Sequence, residues 1–288
     1  MASEIELKLA LGASGPDALR RHPRLTVLPS RVSRLGNTYF DTPEGDLEAT
    51  RCALRLRRDG ERLLQTVKTR GQGGGGLSNR GEWEWPVEGP GLDHEGLAEI
   101  PPMAAFGQDV LARLEPRFVT DFTRETWLVE DDDAVIEVAL DTGEIQAGER
   151  TAWIRELELE LKQGAENALH ALAATLAEHV PLRPSDTSKA ARGGALLLGQ
   201  WQLPEGGSPA AWLHRASVAL DALSDTGDPA WRREAQAAFQ CLAELGDDTA
   251  SDALWLAKAL DDDTWLNEAF GVHALSLSRK LPGDAALS

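Results

Sequence analysis

Cysteine is almost missing from this chain. Cys52 and Cys241 are its two, far apart among 288 residues. They allow no disulfide framework and no paired-cysteine metal or redox motif, so a reducing cytoplasm is the expected setting. Long apolar runs are missing too. No stretch of about eighteen consecutive apolar residues occurs, which predicts no membrane span. The chain opens on a charged segment rather than an apolar signal. Positive charge is scarce: 29 Lys and Arg face 47 Asp and Glu, a formal charge of −18. Nucleic-acid binding needs a basic footprint, and this balance argues against one while leaving room for a small basic pocket. His22, His94, His170, His179, His214 and His273 are scattered without metal-ligand spacing. No nucleophilic triad stands out, and no repeat of fixed period is visible. The glycine run Gly71–Gly76 lacks a following Lys-Ser/Thr and an opening helix, so it fails the P-loop test and reads as a flexible hairpin connection.

What is present is alternation. In the opening segment Glu4, Glu6 and Lys8 alternate with Ile5, Leu7 and Leu9, the signature of a strand with one polar and one apolar face. Carboxylates suit hard divalent cations and a lysine suits phosphate, although an edge strand facing solvent would carry such charge as well. The pattern returns along the first two hundred residues. A helix broken near Pro23 and ended before Pro29 is expected, then a short strand over Asn37–Asp41. Arg55 and Arg57 alternate with Leu54 and Leu56, and Asp59-Gly60 signals a hairpin. Thr66 and Lys68 share a face of the return strand. Arg80, Glu82 and Glu84 alternate with Trp83 and Trp85. A partly helical stretch from Gly91 to Leu114 is broken by Pro101-Pro102. Later strands carry Arg117, Arg124, Glu137 and Asp141, with a turn expected at Thr142-Gly143, and Glu156, Glu158 and Glu160 alternate with leucines. A helix from Gly164 to Val180 has Leu169, Leu172 and Leu176 at helical spacing.

Hairpin-linked strands with intervening helices indicate an α+β fold. The apolar faces must be covered, leaving two arrangements for the charged ones: an open sheet with a wet face, or a closed barrel whose interior holds water, an anion and metal ions. The strands sort by charge, acids on the first strand and on Glu156–Glu160, bases at Arg55, Arg57, Lys68 and Arg124. Arginine predominates among these bases, as suits bidentate oxygen recognition.

The ordered set Glu4-x-Glu6-x-Lys8, Tyr39-Phe40-Asp41, Leu54-Arg55-Leu56-Arg57, Thr66-Val67-Lys68, Arg80-x-Glu82, Arg124, Asp141-x-Gly143, Glu156-x-Glu158-Leu159-Glu160-Leu161 and Ser188-Lys189-Ala190-x-Arg192-Gly193 resembles the CYTH superfamily, the triphosphate tunnel metalloenzymes. The resemblance covers about the first two hundred residues. It implies an eight-stranded antiparallel β-barrel, a tunnel with flanking helices, acting on a triphosphate with Mg2+ or Mn2+. It further implies metal ligation by Glu4, Glu6, Asp141, Glu156, Glu158 and Glu160, with Glu137 also facing the lumen. Phosphates would be cradled by Arg55, Arg57, Lys68, Arg80, Arg117, Arg124 and Lys189, with Lys8 beside the scissile phosphate; Lys8, Glu4 and Glu6 form the expected catalytic set.

Gln202–Pro209 is rich in Pro, Gly and Ser and reads as a linker, dividing a tunnel domain over 1–201 from a small all-α domain over 205–288. Four helices are expected near 210–225, 229–245, 249–260 and 264–280, with Trp212, Leu220, Phe239, Leu242, Trp255 and Trp265 as core. This tail is similar to a shortened CHAD domain, the phosphate-binding helical module, in keeping His214 and Arg215. It departs in carrying Asp221 and apolar residues where bases belong, and acids outnumber bases in it roughly two to one. A structural or interaction role is expected for it. For the whole chain the leading expectation is an inorganic triphosphatase cleaving tripolyphosphate to pyrophosphate and phosphate, since no aromatic base-binding pocket is evident. The rivals are a class IV-type adenylate cyclase or a thiamine or nucleoside triphosphatase, and a non-catalytic polyphosphate or nucleotide binder. No signal bears on oligomeric state.

Overall fold

The structure, a computed structural model, describes residues 2–131, 133–246 and 248–281. Eight long strands close into an antiparallel barrel. They are β1 (Ala2–Leu11), β2 (Ser30–Asp41), β3 (Ala53–Asp59), β4 (Arg62–Lys68), β5 (Leu77–Pro86), β6 (Glu115–Asp131), β7 (Ala134–Ala147) and β8 (Arg150–Gln163). Neighbours run β5-β4-β3-β2-β6-β7-β8-β1, and β1 pairs again with β5 to complete the ring. A short β9 (Leu182–Pro184) extends the edge of β1 beyond β5, over Leu9–Leu11. The β3/β4 hairpin turns at Asp59–Arg62 with Gly60 at φ 61°, as its Asp-Gly signal predicts.

Helices cover the outer faces. Before the barrel closes come α1 (Gly15–Arg20), α2 (Pro23–Thr26), α3 (Asp46–Ala49), α4 (His94–Glu99), α5 (Pro101–Ala104) and α6 (Gln108–Leu111); after it come α7 (Asn167–Ala177) and α8 (Lys189–Leu198). Leu7, Leu9, Val138, Leu140, Leu157 and Leu159 pack against Leu169, Leu172 and Leu176 of α7. On the other flank Leu54 and Val67 pack under Leu97, Met103 and Leu111 of α4 to α6. Each buried leucine contributes about 1.5–3 kcal/mol. With the apolar faces drawn outward under helices, strand alternation turns the charged faces inward.

One end of the interior is filled. Phe122, Ile145 and Ile154 lie on the same strand faces as Arg124, Asp141 and Glu156, and they pack with Leu35 against Leu196 of α8. Ser188 caps α8 by accepting the Ala191 amide at 3.2 Å, which aims the first turn of the helix at the charged lumen. Beyond it, α9 (Pro209–Thr226), α10 (Pro229–Glu244), α11 (Ala250–Ala259) and α12 (Glu268–Lys280) share a core of Leu213, Leu220, Phe239, Leu242, Leu256, Trp265 and Phe270. Among the described residues no helix is long and apolar enough to cross a membrane.

Four local expectations are corrected. The second strand begins at Ser30 rather than Asn37, because its first half pairs with β6. Thr142-Gly143 is not a turn: β7 runs through it, and a side chain at Gly143 would fall 2.2 Å from the Asp121 carbonyl, so glycine there permits close strand packing. The Gly71–Gly76 run is tied down, not loose. The Gly76 amide donates to Asp186 at 2.6 Å, its carbonyl accepts from the Lys8 amide at 2.9 Å, and the Ser278 hydroxyl donates to the Gly75 carbonyl at 2.5 Å. Trp255 stacks on His273 at the surface, 36% exposed, instead of joining the core.

Candidate active site

The barrel encloses a cavity of about 970 Å³. Glu4, Glu6 and Lys8 reach it from β1, Arg55 and Arg57 from β3, Lys68 from β4, Arg80 from β5 and Arg124 from β6. Glu137 of β7, the acids Glu156, Glu158 and Glu160 of β8 and Lys189 of α8 complete the set. Asp141 is fully buried behind them, bonded to Arg124 and Lys189. Arg117 goes elsewhere. It stands at the irregularity between β2 and β6 and pairs with Glu115 at 3.1 Å.

The sorting of charge by strand does not survive closure, because register sets acids against bases. Glu4 lies opposite Arg80 and Arg124 opposite Asp141. Lys68 donates to both Glu4 oxygens at 2.8 and 2.7 Å, and Arg80 bonds Glu4 at 3.0 Å and Glu6 at 2.5 Å. Burial alone would raise the Glu4 carboxyl, but these two cations outweigh it and hold its pKa at about 2. Arg124 forms a bidentate pair with Asp141, both contacts at 2.7 Å, and a third bond to Glu158 at 2.5 Å. Lys189 donates to Asp141, Glu156 and Glu158 at 2.8, 2.9 and 2.8 Å. Against the cost of burial, this triple contact keeps the ammonium charged well above its ordinary range.

Three cations are arranged differently. Lys8 is buried and forms no ion pair among the described residues, although its field reaches Asp186. Arg55 has a buried Nε with no hydrogen-bond partner among the described residues. Among the described residues Arg57 donates only to the amide oxygen of Asn37, at 2.9 Å. Burial, then the neighbouring Arg55 and Arg124, push the Arg57 pKa down to about 10. A buried donor without an acceptor costs about 1–3 kcal/mol, so this corner of the cavity is short of an anion.

The acids show a complementary shortage. Burial raises the Glu6 carboxyl, and Glu158 and Glu4 raise it further against Arg80. Burial also raises Glu160, with Glu4 and Glu137 adding to it against Lys162. Crowded carboxylates of this kind offer hard oxygen donors and would be relieved by a divalent cation. Among the described residues no three acids are gathered into a ready ligand cluster, because Lys68, Arg80, Arg124 and Lys189 draw them apart. The donor chemistry fits a hard divalent cation.

Several lining groups escaped the sequence reading. Tyr39, Trp83 and Trp85 border the cavity, but the Tyr39 ring is stacked on Phe118 and the tryptophans pack into the apolar cluster under α4 to α6. Trp83 and Trp85 sit on the apolar parity of β5, so alternation assigned them to the outside. Arg192 stands in the quoted Ser188–Gly193 motif and bonds Glu156 at 3.2 Å from behind the cavity. Asp186 carries no local signal. It is found only through its contacts to Gly76 and to His214 at 2.7 Å. The Cys52 thiol, pushed up to about 12 by burial and then Asp41, is no nucleophile.

The CYTH domain family matches residues 2–193. Among curated proteins, an inorganic triphosphatase of Haemophilus influenzae is 38% identical over 205 residues, covering 70% of this chain and 56% of that protein. The chain therefore spans little more than half the length of that relative. Among solved structures, the Hippeastrum protein HpAC1, described as having a dominant triphosphatase activity, superimposes with a TM-score of 0.52 at 21% identity, covering 69% of this chain and 97% of that one. That likeness shows the fold alone.

Proposed function

The chain belongs to the CYTH family, and on that premise we propose that it is a metal-dependent inorganic triphosphatase that hydrolyses tripolyphosphate to pyrophosphate and phosphate inside the barrel. One observation carries the reading. Arg55, Arg57 and Lys8 line the barrel cavity with no ion pair to a carboxylate among the described residues, in a chain where acids greatly outnumber bases. A polyanion supplies what they lack.

In this reading Arg55 and Arg57 grip the non-bridging oxygens of the substrate in bidentate fashion. Lys8 lies beside the bond that breaks and stabilises negative charge as it builds on the leaving pyrophosphate, a contribution of about 3–4 kcal/mol for one well-placed donor. Arg124 and Lys189 are held by Asp141, Glu156 and Glu158, so their charge is preorganised instead of being drawn into place by substrate. The Ser188–Lys189 end of α8 adds the positive end of a helix dipole. Glu4, Glu6, Glu158 and Glu160 would hold a divalent cation, which when bound would supply positive charge against the substrate phosphates. Asp141 and Glu156, expected as further ligands, serve in this proposal as anchors for Arg124 and Lys189. Burial of Glu6, Lys8, Asp141 and Glu156 limits screening of the inner contacts by bulk water. The division into a tunnel unit over 1–201 and a helical unit over 205–288, of which 282–288 lie outside the described residues, and a cytoplasmic setting belong to the same proposal.

The test is phosphate release from tripolyphosphate by the purified protein with Mg2+ or Mn2+, with and without chelator. Absence of release with either metal sinks the reading. The rival that would use Tyr39, Trp83 and Trp85 at the cavity is a thiamine or nucleoside triphosphatase whose substrate ring stacks there. A panel scored separately for phosphate and pyrophosphate distinguishes these, exposes cyclase chemistry, and identifies a mere binder by affinity without turnover.

A further inference from the structure

One face of α9 is turned toward the barrel. His214, Asp221, Ser224 and Asp225 recur on it at helical spacing, and each bonds the segment running from β9 into α8. Asp221 accepts from Arg183 at 2.7 Å, from the Ser185 hydroxyl at 3.0 Å and from the Thr187 amide at 3.1 Å. Ser224 accepts from Arg183 at 3.1 Å. Asp225 takes a bidentate bond from Arg192, at 3.0 and 2.6 Å. The side chains of Arg192 and Asp225 are 9% and 1% exposed. A buried ion pair adds little net stability over apolar packing of the same volume, and its better-attested use is to specify one geometry.

That geometry leads to the cavity. Arg192 spends its remaining donors on the Trp153 carbonyl at 2.6 Å and on Glu156 Oε2 at 3.2 Å. The other oxygen of Glu156 accepts from Lys189 at 2.9 Å. We propose that Asp225 is a positioning residue for the tunnel: by fixing Arg192 it holds Glu156, and Glu156 holds Lys189 at its place in the cavity wall. The helical region thereby completes a phosphate site to which it lends no cation. This rests on the reading of the cavity as a tripolyphosphate site.

Charge gives the test a sign. Asp225→Asn removes one negative charge near an anion site, so a purely electrostatic effect tightens tripolyphosphate binding. Loss of positioning loosens it. The full-length protein is titrated with tripolyphosphate by calorimetry, and kcat and KM are measured beside it. Asp225→Asn is expected to raise Kd about tenfold, the scale on which outer partners of a binding group act, with KM moving in step. Asp225→Glu is expected to recover most of the loss, and Glu244→Gln, at an exposed acid of α10, to change neither constant. In Asp225→Asn/Arg192→Gln the loss should not exceed that of Arg192→Gln alone, because both act through one relay. A Kd for Asp225→Asn that is unchanged or lower overturns the proposal, since a merely structural role lowers the melting temperature without altering the affinity of the folded protein. Should Asp225→Asn fail to fold, Arg192→Lys carries the test. Lysine lacks the fork that spans Asp225 and Glu156, so its Kd must rise, and an unaltered value overturns the proposal. If the unaltered protein neither binds nor cleaves tripolyphosphate, the reading of the cavity itself fails, and this inference with it.

Discussion

Lys8→Met and Lys189→Met should affect stability in opposite ways. The two ammonium groups are equally hidden, 6% and 7% exposed. Lys189 is ringed by Asp141, Glu156 and Glu158 at 2.8–2.9 Å, whereas Lys8 forms no ion pair among the described residues. Removing Lys189 strands buried carboxylates, a loss of about 3–5 kcal/mol. At roughly 2–4 °C per kcal/mol, the melting temperature falls by about 6–20 °C. Removing Lys8 breaks no ion pair among the described residues and withdraws only its field at Asp186, which sets against the cost of burying its own charge, so stability should hold within about 1 kcal/mol. Turnover of tripolyphosphate should nonetheless drop about 10²–10³-fold in Lys8→Met. Thermal melts of both variants in chelator separate the two effects. Tripolyphosphate at a hundred times its Kd adds about 2.7 kcal/mol to the unaltered protein, and at the same concentration Lys8→Met should show a much smaller shift. If Lys8→Met melts as early as Lys189→Met, or turns over within twofold of the unaltered protein, the argument that Lys8 is reserved for substrate is wrong.

Glu4→Gln should raise the metal concentration needed for half-maximal activity; a superimposable metal titration would remove Glu4 from the ligand set. The His214–Asp186 bond predicts a pH signature. Burial alone would lower the His214 pKa, but Asp186 outweighs it and raises it above 6.5, while Asp186, which burial would raise, is held below 3.8 by His214. The histidine contribution is therefore fully present below about pH 6.5 and is lost as pH rises through the raised folded value. The aspartate contribution is present above about pH 3.8 and is lost as pH falls through the lowered folded value. His214→Gln should cost about 1.5–3 kcal/mol near pH 5 and much less at pH 9, measured as urea midpoints; equal losses at both would contradict a charged pair. Gly143→Ala should cost about 1–3 kcal/mol, because its Cβ meets the Asp121 carbonyl at 2.2 Å. An unchanged denaturation midpoint would show that β6 and β7 yield freely.

Much of the barrel was legible because alternation is local. Glu4, Glu6 and Lys8 share a face by parity alone, as do Arg55 with Arg57 and Glu156 with Glu158 and Glu160, and all of them reach the cavity. The place of Arg117 was not legible, because it stands at the irregularity between β2 and β6, where counting by twos fails. The pairing of acid with base was not legible. It follows from register between strands distant in sequence, as when Lys68 meets Glu4 across 64 residues.

By itself, then, the sequence determined which side chains could share a surface, since the pleat makes that a matter of counting by twos. It also determined the charge of those surfaces and the apolar faces that had to be hidden. Tertiary structure decided that the charged surfaces look inward. That outcome needs α7 and α4 to α6 laid over the outside, β5 returned to β1, and α8 set into one end with Arg192 gripped by Asp225 of α9. These are contacts between parts of the chain far apart in sequence, and no count along a single strand contains them.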